Sequence, residues 1–175
     1  MENAYKQHNH KTEKFGNAAV DKFISKCNNL SVKYRMATDY EDRKLHHDIY
    51  VLNGSKEIGI DIKAHKKRRR FHNESDQTLC FLELANWTGK YAWTDGTGYI
   101  GFQYNNEFIL VLKSDLRQYL SNNIDRSKPK LLTYKMNDMS DSQIVGNVFY
   151  RKDAPNEAVT MVSWDTIKEL AKRII

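Results

Sequence analysis

The dipeptide Asn53-Gly54 constrains this chain more than any other feature, because a β-rich run lies on either side of it. Asn-Gly between alternating apolar residues is the strongest short hairpin signal, since both residues tolerate the positive φ of a tight turn. The flanking runs are His46 to Leu52 and Lys56 to Ala64. With Asn53 and Gly54 as the turn residues, facing positions sum to 107, which sets Asp48 against Gly59 and Asp61 one diagonal step away. Side chains alternate across a strand. Asp48, Gly59, Asp61 and Lys63 are therefore expected on one face, and Ile49, Val51, Ile58, Ile60 and Ile62 on the other, toward a core.

Two carboxylates and an ammonium then converge on one surface. Diagonal neighbours stand roughly 7–8 Å apart, and side chains leaning across that gap can share a divalent cation at about 2.0–2.1 Å. Gly59 is expected to leave room for the ion. Hard oxygen ligands favour Mg²⁺ or Mn²⁺ over Zn²⁺, and Lys63 would hold a water or a scissile phosphate. The plain alternative is a solvent face with a weak surface ion pair worth about 0–1 kcal/mol. Against it stand the apolar opposite face and the run Lys66, Lys67, Arg68, Arg69 and Arg70, beginning three residues after Lys63. Adjacent positive charges repel one another unless they face solvent or an anion, and a phosphate backbone would satisfy them.

At 175 residues the chain has the size of one domain, read as a polar flexible arm over 1–14 and a single domain over 15–175. Lys and Arg number 28 against 22 Asp and Glu, a net +6 that favours a polyanionic partner, with nucleic acid as the first candidate. Cys27 and Cys80 are too few and too far apart for a disulfide framework or a zinc site. There is no apolar leader and no run of 18 apolar residues. These features set the expectation of a cytoplasmic protein with no membrane association.

The remaining pattern is mixed. Apolar residues at helical spacing predict a helix from Gly16 to Asn28, followed by a strand over 31–36 and a charged loop over 38–44. A strand is expected from Thr78 to Leu84, an irregular segment over 87–97, and a second hairpin, 99–104 with 107–112, across Asn105-Asn106. Ser114 is a plausible cap for a helix to Leu120. A linker over 121–130 and strands over 131–136 and 145–150 follow. Ser163 caps a last helix carrying Trp164, Ile167, Leu170, Ala171 and Ile174 on one face. The expected fold is α/β (α+β mixed), a central mixed sheet flanked by helices.

The pattern His47-Asp48-Ile49-Tyr50, a turn, then Ile60-Asp61-Ile62-Lys63-Ala64, preceded by a helix and a strand, resembles the PD-(D/E)XK nuclease superfamily, which includes restriction endonucleases and archaeal Holliday junction resolvases. The likeness covers roughly residues 14–113 as an order of elements. The segments Tyr34 to Thr38, Phe81 to Asn86 and Gly89 to Trp93 are similar to a narrower, phage-type group. The resemblance implies a restriction-endonuclease-like core and Mg²⁺- or Mn²⁺-dependent hydrolysis of DNA. In that reaction Asp48, Asp61 and the Ile62 carbonyl hold the metal, Lys63 orients water, Glu83 is a further acid and Lys66 to Arg70 grip phosphate. It also implies the host cytoplasm if the protein is phage-encoded, and a homodimer if branched DNA is the substrate. Two departures stand out: Ala85 replaces the lysine that the narrower group carries after its strand acid, and neither Glu13 nor Asp21 has the spacing expected of a first-helix acid. These departures support a second reading, an inactive nuclease-fold module that binds nucleic acid or a host defence protein.

Other residues invite chemistry less strongly. Trp87, Tyr91, Trp93 and Tyr99 could stack on bases, although packing around an irregular loop is the better prior. His46 and His47 adjoin the first acid, with His46 expected on the acidic face. Gly96-Thr97-Gly98 lacks the lysine and the strand-to-helix setting of a phosphate loop.

Overall fold

A computed structural model describes residues 2–65, 78–85, 97–131, 140–150 and 157–175, with backbone alone for 2–15 and Ala85. In chain order the elements are α1 (Glu2–Asn29), β1 (Tyr34–Met36), α2 (Asp39–Leu45), β2 (Ile49–Asn53), β3 (Lys56–Lys63), β4 (Leu79–Ala85), β5 (Tyr99–Tyr104) and β6 (Glu107–Leu112). Then follow α3 (Lys113–Asn123), β7 (Asp125–Leu131), α4 (Asp141–Ile144), β8 (Asn147–Tyr150), β9 (Ala158–Ser163), α5 (Trp164–Glu169) and β10 (Ala171–Ile174). The class is mixed α/β, as expected. The strands divide between two sheets, ordered β1-β2-β3-β5-β6-β10 and β4-β9-β8-β7. Each sheet has one parallel pair, β3 with β5 and β7 with β8.

The first sheet separates two cores. On one side lies the apolar stripe of α1, where Ala19, Phe23 and Cys27 recur every four residues and are almost fully buried. They pack on Ile49, Ile60, Ile62, Phe108 and Leu110. Phe23 meets Phe108 edge-on at 5.1 Å, and its burial contributes about 2–3 kcal/mol. On the other side Ile100, Phe102, Ile109 and Val111 pack against Cys80, Leu82 and Leu84 of β4, Leu116 and Leu120 of α3, and Trp164 and Ile167 of α5. The result is a helix, a sheet, and a second sheet with its helices. Both cysteines are buried, and neither forms a disulfide.

The hairpin is present with a different register. Observed partners are Ile49 with Ile60, Tyr50 with Gly59 and Asn53 with Lys56, so Gly54 and Ser55 form the turn and Asn53 still belongs to the ladder. Gly54 has φ 61, and a glycine at the first central position suits a type II′ turn. The shift is two residues, the pleat period. Parity along β3 is therefore unchanged, and Asp61 still faces away from the isoleucines.

Other boundaries moved for identifiable reasons. Residues 2–14, expected as an arm, continue α1. The charged segment 38–44 is largely helical, because Thr38 and Glu41 form a capping box at the start of α2. At α3 the cap position is Leu112, not Ser114. Much of the expected linker is β7, an edge strand that tolerates Pro129. Residues 132–136 of the expected strand lie outside the described residues. Ser163 caps α5 as expected, accepting the Thr166 amide, yet the helix ends at Glu169. The remainder becomes β10, which pairs with the otherwise open edge of β6. Edge pairing there overrides the helical spacing of the last apolar residues.

Candidate active site

Strand β3 delivers Asp61 and Lys63. In the parallel pairing with β5 they stand beside Ile100 and Phe102, so both point to the side that carries the second sheet. Asp61 is only 4% exposed. Its Oδ1 pairs with Lys63 Nζ at 2.8 Å, while its Oδ2 is buried with no hydrogen-bond partner among the described residues. A buried carboxylate oxygen in that condition costs free energy unless a cation or solvent meets it.

Asp48 sits one residue beyond the β2–β3 ladder. Its N–H donates to the Ile60 carbonyl at 2.9 Å, and its carboxylate Oδ2 accepts the Ile62 N–H at 2.5 Å. The side chain thereby closes the open end of the ladder and lies beside Asp61. Burial, and then the Asp61 charge, push the Asp48 carboxyl up to about 6, against smaller opposing effects of the Ile62 hydrogen bond and Lys63. Ile62 turns its side chain to the α1 core, which leaves its main chain to this site.

Lys63 responds to three acids. Burial pulls its ammonium down, but Asp61, Glu83 and Asp48 together hold it above the ordinary lysine range. Glu83 comes from β4 at the edge of the second sheet. It lines a cavity of about 40 Å³ together with Lys63, Phe81 and Phe102, large enough for a water or an ion. The two sheets thus both line this cavity, the first through Lys63 and the second through Glu83.

The space at Gly59 is not left for an ion. The His47 ring lies over it, so that a Cβ at Gly59 would stand 2.2 Å from His47 Nδ1. His47 is 3% exposed. Its Nε2 donates to the Thr97 carbonyl at 2.8 Å, so in the neutral ring Nδ1 accepts from the Tyr50 hydroxyl at 2.9 Å. This histidine is structural. His46 closes α2 in the left-handed region, φ 51. Its imidazole is lowered by burial, opposed by Asp61 and reinforced by Lys63 and Lys113.

Lys113 is the residue that sequence reasoning missed. It is fully buried, and its Nζ donates to the Leu45 and His46 carbonyls at 3.1 and 3.0 Å. Those carbonyls end α2, where a cation is favoured. Burial lowers the Lys113 ammonium to about 8, with Asp61 and Asp48 opposing and Lys63 assisting. The sequence reading puts the helix cap at Ser114, and only the structure makes Lys113 the first residue of α3, the helix end that a cation ordinarily avoids.

Several sequence candidates stand elsewhere. Lys66 to Arg70, Trp87, Tyr91 and Trp93 lie outside the described residues. Tyr99 packs into the α1 core. Asp21 is exposed on α1, and the Glu13 side chain is not described. Among the described residues no group of three or more His, Cys, Asp or Glu side chains is placed to hold a metal. The fit is instead that of two carboxylates and a main-chain segment, with the unpartnered Asp61 Oδ2 as the open ligand. Hard oxygen donors in that number could hold Mg²⁺ or Mn²⁺ with water completing the shell. Among the described residues no helix is long and apolar enough to cross a membrane. No protein family, curated protein or solved structure matches the chain.

Proposed function

We propose that this chain is a Mg²⁺- or Mn²⁺-dependent deoxyribonuclease that hydrolyses phosphodiester bonds. The observation that carries the reading is Asp61: buried, paired with Lys63 through one oxygen, and at the other, beside Asp48, without a partner among the described residues. Asp48, Asp61 and the Ile62 carbonyl are the residues that would hold the ion. A bound ion would supply Lewis acidity and a more acidic water. Asp48, with its carboxyl near 6, is mostly ionised at neutral pH and available as a ligand. Lys63 keeps its proton and presents a fixed positive charge for a phosphate oxygen or a water. Glu83 faces Lys63 from the second sheet and holds that charge in place.

Helix α1 against β1, β2 and β3, with β5 parallel to β3, supports the resemblance to the restriction-endonuclease-like core. The net charge of +6 and the Lys66 to Arg70 run support DNA as the partner. Within the same reading the protein works in the cytoplasm, that of the host if phage-encoded, and as a homodimer if its DNA is branched. The rival reading, an inactive module that binds nucleic acid or a host defence protein, draws on Ala85 and on the scarcity of acidic ligands around Asp61.

Incubating the purified protein with plasmid, branched and single-stranded DNA and Mn²⁺, beside Asp61→Ala, separates the two. Cleavage by the native chain alone is the expected result. Equal cleavage by Asp61→Ala would sink the mechanism, and binding without cleavage would favour the rival.

A further inference from the structure

We propose that Lys113 is a positioning residue that holds down the metal affinity of the Asp48–Asp61 site, acting as a resident counter-charge from behind it. The inference rests on the metal-dependent reading above and concerns a residue outside the expected ligand set. Lys113 is fully buried, and its ammonium is fixed by the Leu45 and His46 carbonyls rather than by a carboxylate. Its backbone N–H is fixed as well, donating to the Gly98 carbonyl at 3.0 Å. The charge therefore cannot swing away when the site changes occupancy.

Its electrostatic partners are the site acids. Asp61 and Asp48 favour the charged form of Lys113, while Lys63 and the exposed Arg117 oppose it. Among the described residues around the site, Asp48, Asp61 and Glu83 are acids and Lys63 and the buried Lys113 are bases, so three negative charges meet two positive ones. Removing Lys113 leaves a net charge of −2, the complement of a divalent ion, whereas its presence leaves −1. A fixed unit charge beside a dication in a partly buried site changes affinity by at least about tenfold. Lys63 differs in kind, because it is paired directly to Asp61 and partly exposed.

A structural lysine and a counter-charge make opposite predictions. If Lys113 merely braced α2 against the sheet, its loss would loosen Asp48 and weaken metal binding. As a counter-charge, its loss strengthens metal binding while the fold persists.

The test is a Mn²⁺ titration of the full chain, without DNA, followed by electron paramagnetic resonance for the native protein, Lys113→Met, Lys113→Gln, Lys113→Arg and Asp61→Asn. Circular dichroism checks the fold of each. Lys113→Met and Lys113→Gln should bind Mn²⁺ at least about tenfold more tightly, Lys113→Arg should stay within about twofold of native, and Asp61→Asn should lose the site. Unchanged or weaker binding in the folded uncharged variants would overturn the proposal while leaving the metal reading intact. Unfolding of both uncharged variants would make Lys113 a structural residue and overturn it equally. Absence of Mn²⁺ binding in the native chain would overturn the metal reading and this inference together.

Discussion

Replacing Asp48 by Asn should stabilise the metal-free protein, and the gain should depend on pH. The folded carboxyl titrates near 6 against an ordinary value of 3.8, because burial and the Asp61 charge disfavour its ionised form. An acid whose pKa is raised on folding favours the native state while protonated. Its contribution is fully present below about pH 3.8, declines as the pH rises, and is gone above about pH 6. At 1.36 kcal/mol per pH unit, the ionised side chain costs about 3 kcal/mol near pH 8 relative to a neutral isostere, and almost nothing near pH 4. The amide oxygen of Asn can still accept the Ile62 N–H, so the hydrogen bond that closes the ladder survives. For a domain of this size 1 kcal/mol moves the melting temperature by about 2–4 °C, so Asp48→Asn should melt roughly 6–12 °C above native near pH 8. The two should coincide within a few degrees near pH 4. Thermal melts by circular dichroism in EDTA measure this directly. A lower melting temperature for the variant near pH 8, or the same gap at both pH values, would refute the reasoning. Saturating Mn²⁺, about a hundredfold above its Kd, should add about 2.7 kcal/mol to the native chain and far less to the variant.

Three other substitutions probe the surroundings. Gly59→Ala drives a methyl into the His47 ring and should cost about 2–3 kcal/mol in urea unfolding; a loss below about 0.5 kcal/mol would show that His47 is not lodged there. Thr38→Ala removes the side-chain acceptor of the Glu41 amide from the α2 capping box and should cost about 1 kcal/mol in the same assay. Lys63→Met takes the ammonium from Asp61 and should lower Mn²⁺-dependent cleavage at least about 100-fold, with unchanged turnover removing Lys63 from the mechanism.

Local rules made the hairpin legible, and they also limited what could be read. Period-two alternation placed Asp61 and Lys63 opposite the isoleucines because parity survives a two-residue slip. The turn type that sets register depends on which residue takes positive φ, and Asn53-Gly54 offered two choices. The capping box at Thr38 and Glu41 was present in the letters but was outweighed by the charge of the segment. β10 was not legible as a strand, because its helical spacing is real and only the open edge of β6 decides the outcome. Lys113 was hidden for a related reason. It is 65 residues from Asp48 and 52 from Asp61 in sequence, and its partners are main-chain carbonyls that no motif records. Glu83 entered through resemblance alone, and the second sheet brings it to Lys63.

Anomalous diffraction from crystals grown with Mn²⁺ would show whether Asp48 and Asp61 hold a metal ion. One Mn²⁺ peak is expected beside Asp48 and Asp61, with Asp61 Oδ2 at about 2.0–2.2 Å and an Asp48 oxygen in the same coordination shell. A saturating Mn²⁺ concentration that leaves Asp61 Oδ2 without metal, or places the ion elsewhere on the chain, would contradict it.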